Sequence, residues 1–299
     1  MIDHTPPHRR VWSGLAGGDA QSAQVGILGV PFDGGTSFRK GAAFAPARLR
    51  EITPHIAPIS EEGRRFDALR VMDYGDVLVD LDWLRYFTAV RSRAGAVLKH
   101  PFALFLGGDH SVTIPLFQAF SQVKGGSGLG VLHIDAHADL MDTFEGHRWS
   151  HACTARRVLE YPGVSPEHMV FVGLRSWLPQ ELEYLSEHHG IGVHRAIDVY
   201  RSGIQAVAEA VAGQLADVKA LYVTLDIDVL DPAHAPGTGT PEAAGLTTRD
   251  VLELLRVVFE RLPVQAMDIV EVSPPLDSSD ITSLAALKVI YEVFGWLHG

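Results

Sequence analysis

The chain has 299 residues, 46% hydrophobic and 20% charged, enough to bury a large core and too apolar for global disorder. Its formal net charge of −11 argues against nucleic acid or an anionic membrane surface as a partner. A single cysteine, Cys153, excludes an intrachain disulfide, and no apolar run reaches spanning length, so the expected compartment is the cytoplasm.

Residues 1–24 read as an irregular arm without the apolar segment of a signal peptide. An apolar strand is expected over 25–30, then a turn-rich loop, Pro31 to Thr36, and a short helix at 47–52. A strand at 69–74 precedes a helix at 81–99, and a third strand at 102–106 ends in Gly107-Gly108-Asp109-His110-Ser111. The next helix starts near Val112. A fourth strand, 129–135, leads into a loop over 140–151 and a helix over 153–160. Strands at 169–173 and 191–194 flank a helix at 180–188, and another helix covers 204–215. A seventh strand, 220–225, runs into Asp226-Ile227-Asp228 and then a Pro/Gly/Thr-rich loop, 229–246, long enough to suggest function. A helix at 248–262, a strand at 264–270 and a helix at 281–297 close the chain. About eight strands alternating with helices predict an α/β fold, a three-layer αβα sandwich around a mainly parallel sheet, with 25–299 as one domain.

Ligands of such sheets collect beyond the carboxyl ends of the strands, and the polar clusters stand there. Asp135, His137 and Asp139 follow the fourth strand at two-residue intervals, a spacing that aims extended side chains at one point. Asp226 and Asp228 repeat the spacing, and His110 and Glu271 close two other strands. Four carboxylates and two imidazoles balance two divalent cations, with carboxylates free to bridge. An oxygen-rich, thiolate-free set favours Mn²⁺, while Co²⁺, Ni²⁺ and Zn²⁺ remain compatible. Other polar residues read as structural: His133 as a core or interface residue, His188 and His189 as a solvated pair at a helix end, Cys153 as a small apolar helix residue. His147 and His234 sit in loops that could bring them to the mouth of the pocket, and neither is assigned a role.

Gly-Gly-Asp-His-Ser (107–111), Asp-Ala-His-Ala-Asp (135–139) and Asp-Ile-Asp-Val-Leu-Asp-Pro (226–232) resemble the three metal motifs of the ureohydrolases, the arginase and agmatinase family. Pro31-Phe32-Asp33, Pro-Gly-Thr-Gly-Thr-Pro (236–241) and Asp-Ile-Val-Glu (268–271) support the match, which runs from residue 25 to the end. The resemblance implies a binuclear Mn²⁺ site. One ion would take His110, Asp135, Asp139 and Asp226, the other His137, Asp135, Asp226 and Asp228, with Asp135 and Asp226 bridging. It also implies a trimeric or hexameric assembly.

Two cations sharing a water make it nucleophilic at neutral pH, and a guanidinium carbon is a fitting target. Attack would give urea and an amine. Asp139 is placed to take the water's proton and pass it to the leaving amine. Glu271 would pair with the guanidinium, Thr240 would add a hydroxyl, and the resemblance gives His151 the role of proton shuttle. Ala152 follows it where the family usually carries glycine. Arginases read the α-amino acid end of arginine with an asparagine and acids where this chain has Met141, Ser176 and Leu178. The expected substrate is therefore agmatine, cleaved to putrescine and urea, with guanidinobutyrate or another ω-guanidino acid as the alternative. Glu145, Glu181 or Glu183 could receive the second cation of agmatine. Arg148 or Arg175 could receive a carboxylate instead.

Overall fold

The computed structural model describes residues 10–17 and 20–298. Eight strands form one sheet: β1 (Val25–Gly29), β2 (Val71–Asp76), β3 (Phe102–Leu106), β4 (Leu129–Ile134), β5 (Val164–Leu174), β6 (Gly192–Arg195), β7 (Ala220–Asp226) and β8 (Val264–Val270). Their spatial order is β2-β1-β3-β8-β7-β4-β5-β6. Every neighbouring pair is parallel. Parallel strands need crossovers, and helices supply them: α1 (Ala45–Ile52), α2 (Trp83–Val97), α3 (Thr113–Lys124), α4 (Thr154–Leu159), α5 (Pro179–Glu187), α6 (Ala196–Ser202), α7 (Ile204–Gln214), α8 (Thr248–Arg261) and α9 (Ile281–His298).

Alternation along the strands divides the core in two. Ile27, Leu104 and Leu132 pack with α1, α7, α8 and α9, whereas Leu28, Phe105 and Val131 pack with α2, α3 and α4. The inner strands are buried on both faces, as their unbroken apolar runs require. Three layers result, as expected. Thr247 and Asp250 start α8 by bonding to each other's backbone N–H, a reciprocal cap contributing about 1 kcal/mol.

Some boundaries differ from expectation. The fifth strand begins at Val164 rather than 169, because the segment before it pairs with Leu129 at the edge of β4. The helix α6 has no counterpart among the expected elements; it is short, and Asp198 caps it by accepting from Arg195 N. Within the expected arm, residues 1–9 and 18–19 lie outside the described residues. Val11–Gly14 is a tight turn that buries Trp12 edge-on against Phe294 of α9, with its indole N–H donating to Asp73 at 2.6 Å. Among the described residues no helix is long and apolar enough to cross a membrane.

Candidate metal centre

The centre lies past the carboxyl ends of β3, β8, β7 and β4, which are adjacent in the sheet. After β3 the chain must pass close to the loop that follows β1. Any Cβ at Gly108 would run into the Phe32 carbonyl, which accepts from Asp109 N at 2.7 Å. That close approach accounts for Gly108, while a Cβ at Gly107 would run into the Val270 side chain.

The two-residue spacing does bring the acids together, but not as an extended strand would. β4 stops at Ile134, and Asp139 adopts φ +53°, so the loop turns its side chain back on the cluster. Beyond β7, Asp228 sits in a 3₁₀ turn whose N–H donates to Asp226 Oδ1 at 2.8 Å. Local hydrogen bonds, not strand alternation, set the convergence.

His110 Nδ1 lies 3.0, 3.1 and 3.2 Å from carboxylate oxygens of Asp135, Asp139 and Asp226. It is buried, yet makes no geometrically acceptable hydrogen bond. A nitrogen caged by three oxygens without hydrogen-bond geometry fits a cation position. His137 Nδ1 lies 3.1 Å from Asp228 and 3.5 Å from Asp135, and these three donors form a second group able to hold an ion. Asp135 belongs to both groups. Burial opposes an imidazolium at His110 and His137, but the surrounding acids outweigh it and raise both well above the ordinary histidine range. Burial and neighbouring acids push the Asp226 carboxyl up.

Around this cluster stand His133, His151, Glu271 and Thr240, which the sequence singled out, and Thr113, Tyr222, Thr224, Asp268 and Ser37, to which it gave no role. His133 donates through Nε2 to Asp135 Oδ2 at 2.9 Å and stacks on His110 with centroids 4.7 Å apart, so this buried histidine stands with His110, Asp135 and Asp139 in the first group of donors able to hold an ion. His110 Nε2 meets Thr224 Oγ1 at 2.8 Å, and Thr224 donates to Asp268 at 2.5 Å. Tyr222 and Thr113 hydroxyls also donate to Asp268. His151 Nδ1 faces Glu271 Oε1 at 3.2 Å and its Nε2 faces Ser37 Oγ at 2.8 Å. Glu271 Oε1 also accepts from His110 N, whereas among the described residues Oε2 accepts from none. Thr240 donates to Asp228 Oδ2 at 3.3 Å. The signals for Thr224 and Asp268 were their strand positions, two residues before Asp226 and three before Glu271. Ser37 gave no signal.

A cavity of about 170 Å³ opens onto the cluster. His137, Asp139, His151, Asp226 and Thr240 form one side of its lining. Phe144, Ala152, Trp177 and Leu178 contribute apolar surface, and among the described residues no lysine or arginine lines it.

The charged residues expected at the mouth are placed otherwise. Glu181 lines the cavity but is 4% exposed, and its two oxygens accept from Leu140 N and Leu178 N. Glu145 and Glu183 do not line it. Arg175 spends its guanidinium on the carbonyls of Gly173, Asp228, Val229, Leu230, Glu242 and Ala243. Arg148 pairs with Glu160 at 3.1 Å. His147 stacks on Trp83 at 5.4 Å, His234 meets Thr248 at 3.5 Å, and neither lines the cavity. Cys153 is buried, which pushes its thiol up to about 12 and keeps it unreactive.

Residues 23–295 match the model of the arginase family. The chain belongs to that family. It is thereby a hydrolase of carbon–nitrogen bonds in linear amidines. The chain is 35% identical over 287 residues to an agmatinase of Bacillus anthracis, covering 93% of each. It is 33% identical over 287 residues to a guanidinobutyrase of Pseudomonas aeruginosa, covering 94% of this chain and 88% of the relative. The solved proclavaminate amidino hydrolase of Streptomyces clavuligerus superposes with a TM-score of 0.85 at 35% identity, covering 94% of both chains.

Proposed function

We propose that this arginase-family chain hydrolyses agmatine to putrescine and urea, with two Mn²⁺ ions held by His110, Asp135, His137, Asp139, Asp226 and Asp228. The observation that carries the reading is the lining of the cavity: acids, imidazoles, hydroxyls and aromatic rings, with no lysine or arginine among the described residues. A substrate cationic at both ends suits such walls, whereas a carboxylate tail finds no lysine or arginine to pair with among the described residues. The second reading, guanidinobutyrate hydrolysis, rests on the similarity to the Pseudomonas guanidinobutyrase.

When bound, the ion pair supplies the Lewis acidity that makes water a nucleophile at neutral pH. The protein's own side chains position and transfer protons. Glu271 Oε2, without a protein donor among the described residues, pairs with the guanidinium. Asp139 takes the proton that water loses on adding to the guanidinium carbon. His151, held as imidazolium by Glu271, hands a proton to the departing amine as the carbon–nitrogen bond to the alkyl chain breaks. Thr240 adds its hydroxyl beside Asp228. The acidic composition and single cysteine support a cytoplasmic setting, and resemblance supports a trimer or hexamer.

Urea release is measured after reconstitution with manganese, using agmatine, guanidinobutyrate, guanidinopropionate and arginine in turn. Agmatine is expected to give the highest kcat/KM. Equal or better turnover of a guanidino acid or of arginine overturns the substrate assignment, and no urea from any guanidine overturns the activity.

A further inference from the structure

The metal end of the cavity accounts for the guanidinium, but the far end of the substrate needs a reader as well. Charged side chains there are already committed. Both oxygens of Glu181 are bonded to backbone N–H groups, and Arg175 faces backbone carbonyls instead. Ser176 Oγ donates to Glu242 at 3.0 Å. What remains toward the tail is the surface of Phe144, Trp177, Leu178 and Ala152.

Both aromatic residues stand on pinned backbone. Phe144 and His147 exchange two backbone hydrogen bonds of 2.9 Å around Glu145 and Gly146, which adopt φ +48° and +82°, a two-residue turn of the I′ kind. Asp142, two residues before, is gripped by the buried Arg157 at 2.6 Å. On the other wall, Arg175 N and Ser176 N both donate to Ala136 O, at 2.9 and 3.0 Å, and Leu178 N donates to Glu181. The backbone of Trp177 is therefore flanked on one side by bonds to Ala136, between Asp135 and His137, and on the other by Glu181 of α5, whose second oxygen takes Leu140 N. Rings held in place lose little entropy on binding, and an indole face attracts an ammonium.

We propose that Trp177 and Phe144 are the specificity-determining residues of this site, holding the ω-ammonium tail of the substrate on their ring faces. This rests on the reading of agmatine as substrate. Selection then works through π faces and through the lack of lysine or arginine in the lining among the described residues, while Glu181 is held by backbone N–H groups.

The test compares agmatine with pentylguanidine, whose terminal methyl replaces the ammonium, in wild type, Trp177→Leu, Trp177→Phe and Phe144→Leu. Each variant is first matched to wild type in melting temperature and manganese content, and Trp177→Phe serves where the leucine variant does not fold. For agmatine, Trp177→Leu should raise KM about tenfold with kcat within about twofold, and Trp177→Phe should recover most of the loss. For pentylguanidine, KM should stay within about twofold of wild type in every variant. An unchanged agmatine KM in both leucine variants, or equal losses for both substrates, overturns the proposal while leaving agmatinase activity standing. Wild-type protein that hydrolyses guanidino acids and not agmatine overturns the substrate reading itself, before any variant is made.

Discussion

His151 and Glu271, 120 residues apart in the chain, meet in a buried pair with Nδ1 of the imidazole 3.2 Å from Oε1 of the carboxylate. Burial alone disfavours the imidazolium, but the hydrogen bond and charge of Glu271, with Asp139 and Asp109 beyond it, raise His151 to about 9. Nδ1 then donates to Glu271, while Nε2 faces Ser37, with the Ser37 hydroxyl at 2.8 Å and the Ser37 backbone N–H directed at it at 3.2 Å. Such a group carries a proton throughout the physiological range, as a donor to a leaving amine must.

The folded value lies above the ordinary 6.5, so this pairing stabilises the fold fully below about pH 6.5 and the contribution fades as pH rises through about 9. In metal-free protein the ring signals of His151 should titrate with a midpoint near 9, and Glu271→Gln should bring the midpoint down toward the ordinary range. A wild-type midpoint near 6.5 would refute the pairing. Removing the imidazole by His151→Asn should lower kcat by about 10² to 10³ with metal content unchanged.

Metal binding should release protons. His110 and His137 are raised well above the ordinary range by the acids around them, and Asp226 is pushed up by burial and by Asp228 and Asp135. Ligation needs neutral imidazole and ionised carboxylate, so these protons must leave as the ions enter. Calorimetric titration with Mn²⁺ near pH 7.5, repeated in buffers of different ionisation enthalpy, should report net proton release. The apparent affinity should weaken as pH falls. Heats independent of buffer would count against the protonated cluster.

Asp135 contributes to both groups of donors, so its loss should cost both ions rather than one. Elemental analysis of Asp135→Asn after reconstitution should find less than about one Mn²⁺ per chain, with urea release abolished. Asp228→Asn, which touches the His137 group alone, should retain the ion at His110. Two ions retained in the Asp135 variant would sink the bridging assignment.

The elements that position these side chains were legible because each motif is contiguous. Apolar runs end in Asp-His or Asp-x-Asp, and the strand ends they mark lie side by side in the sheet. What escaped a linear reading depends on partners distant in sequence. Arg175 looks like a free cation after Gly173-Leu174, yet its hydrogens go to carbonyls at 228–230 and 242–243. Glu181 looks like a helix-surface acid, yet it joins the start of α5 to Leu140, next to Asp139. Ser37 is one hydroxyl in a polar loop until folding sets it against His151. Backbone carbonyls and N–H groups leave no sequence signature, so the side chains committed to them read as free.

The hydroxyl chain behind His110 gives the sharpest check on how the centre is held. Nε2 of His110 meets Thr224 Oγ1 at 2.8 Å, and the Thr224 hydrogen is spent on Asp268 Oδ1 at 2.5 Å. The oxygen of Thr224 is therefore an acceptor, which keeps the proton on Nε2 and leaves Nδ1 as the nitrogen facing Asp135, Asp139 and Asp226. Asp268 in turn is fixed by the hydroxyls of Tyr222 and Thr113. Thr224→Val keeps the shape of the side chain and removes the acceptor; Thr224→Ser keeps the acceptor and removes a methyl group. Manganese affinity of metal-free protein should fall about 10- to 100-fold in the valine variant and stay near wild type in the serine variant. If valine binds manganese as tightly as threonine, His110 is held by its cage of acids alone and the chain through Asp268 serves only packing.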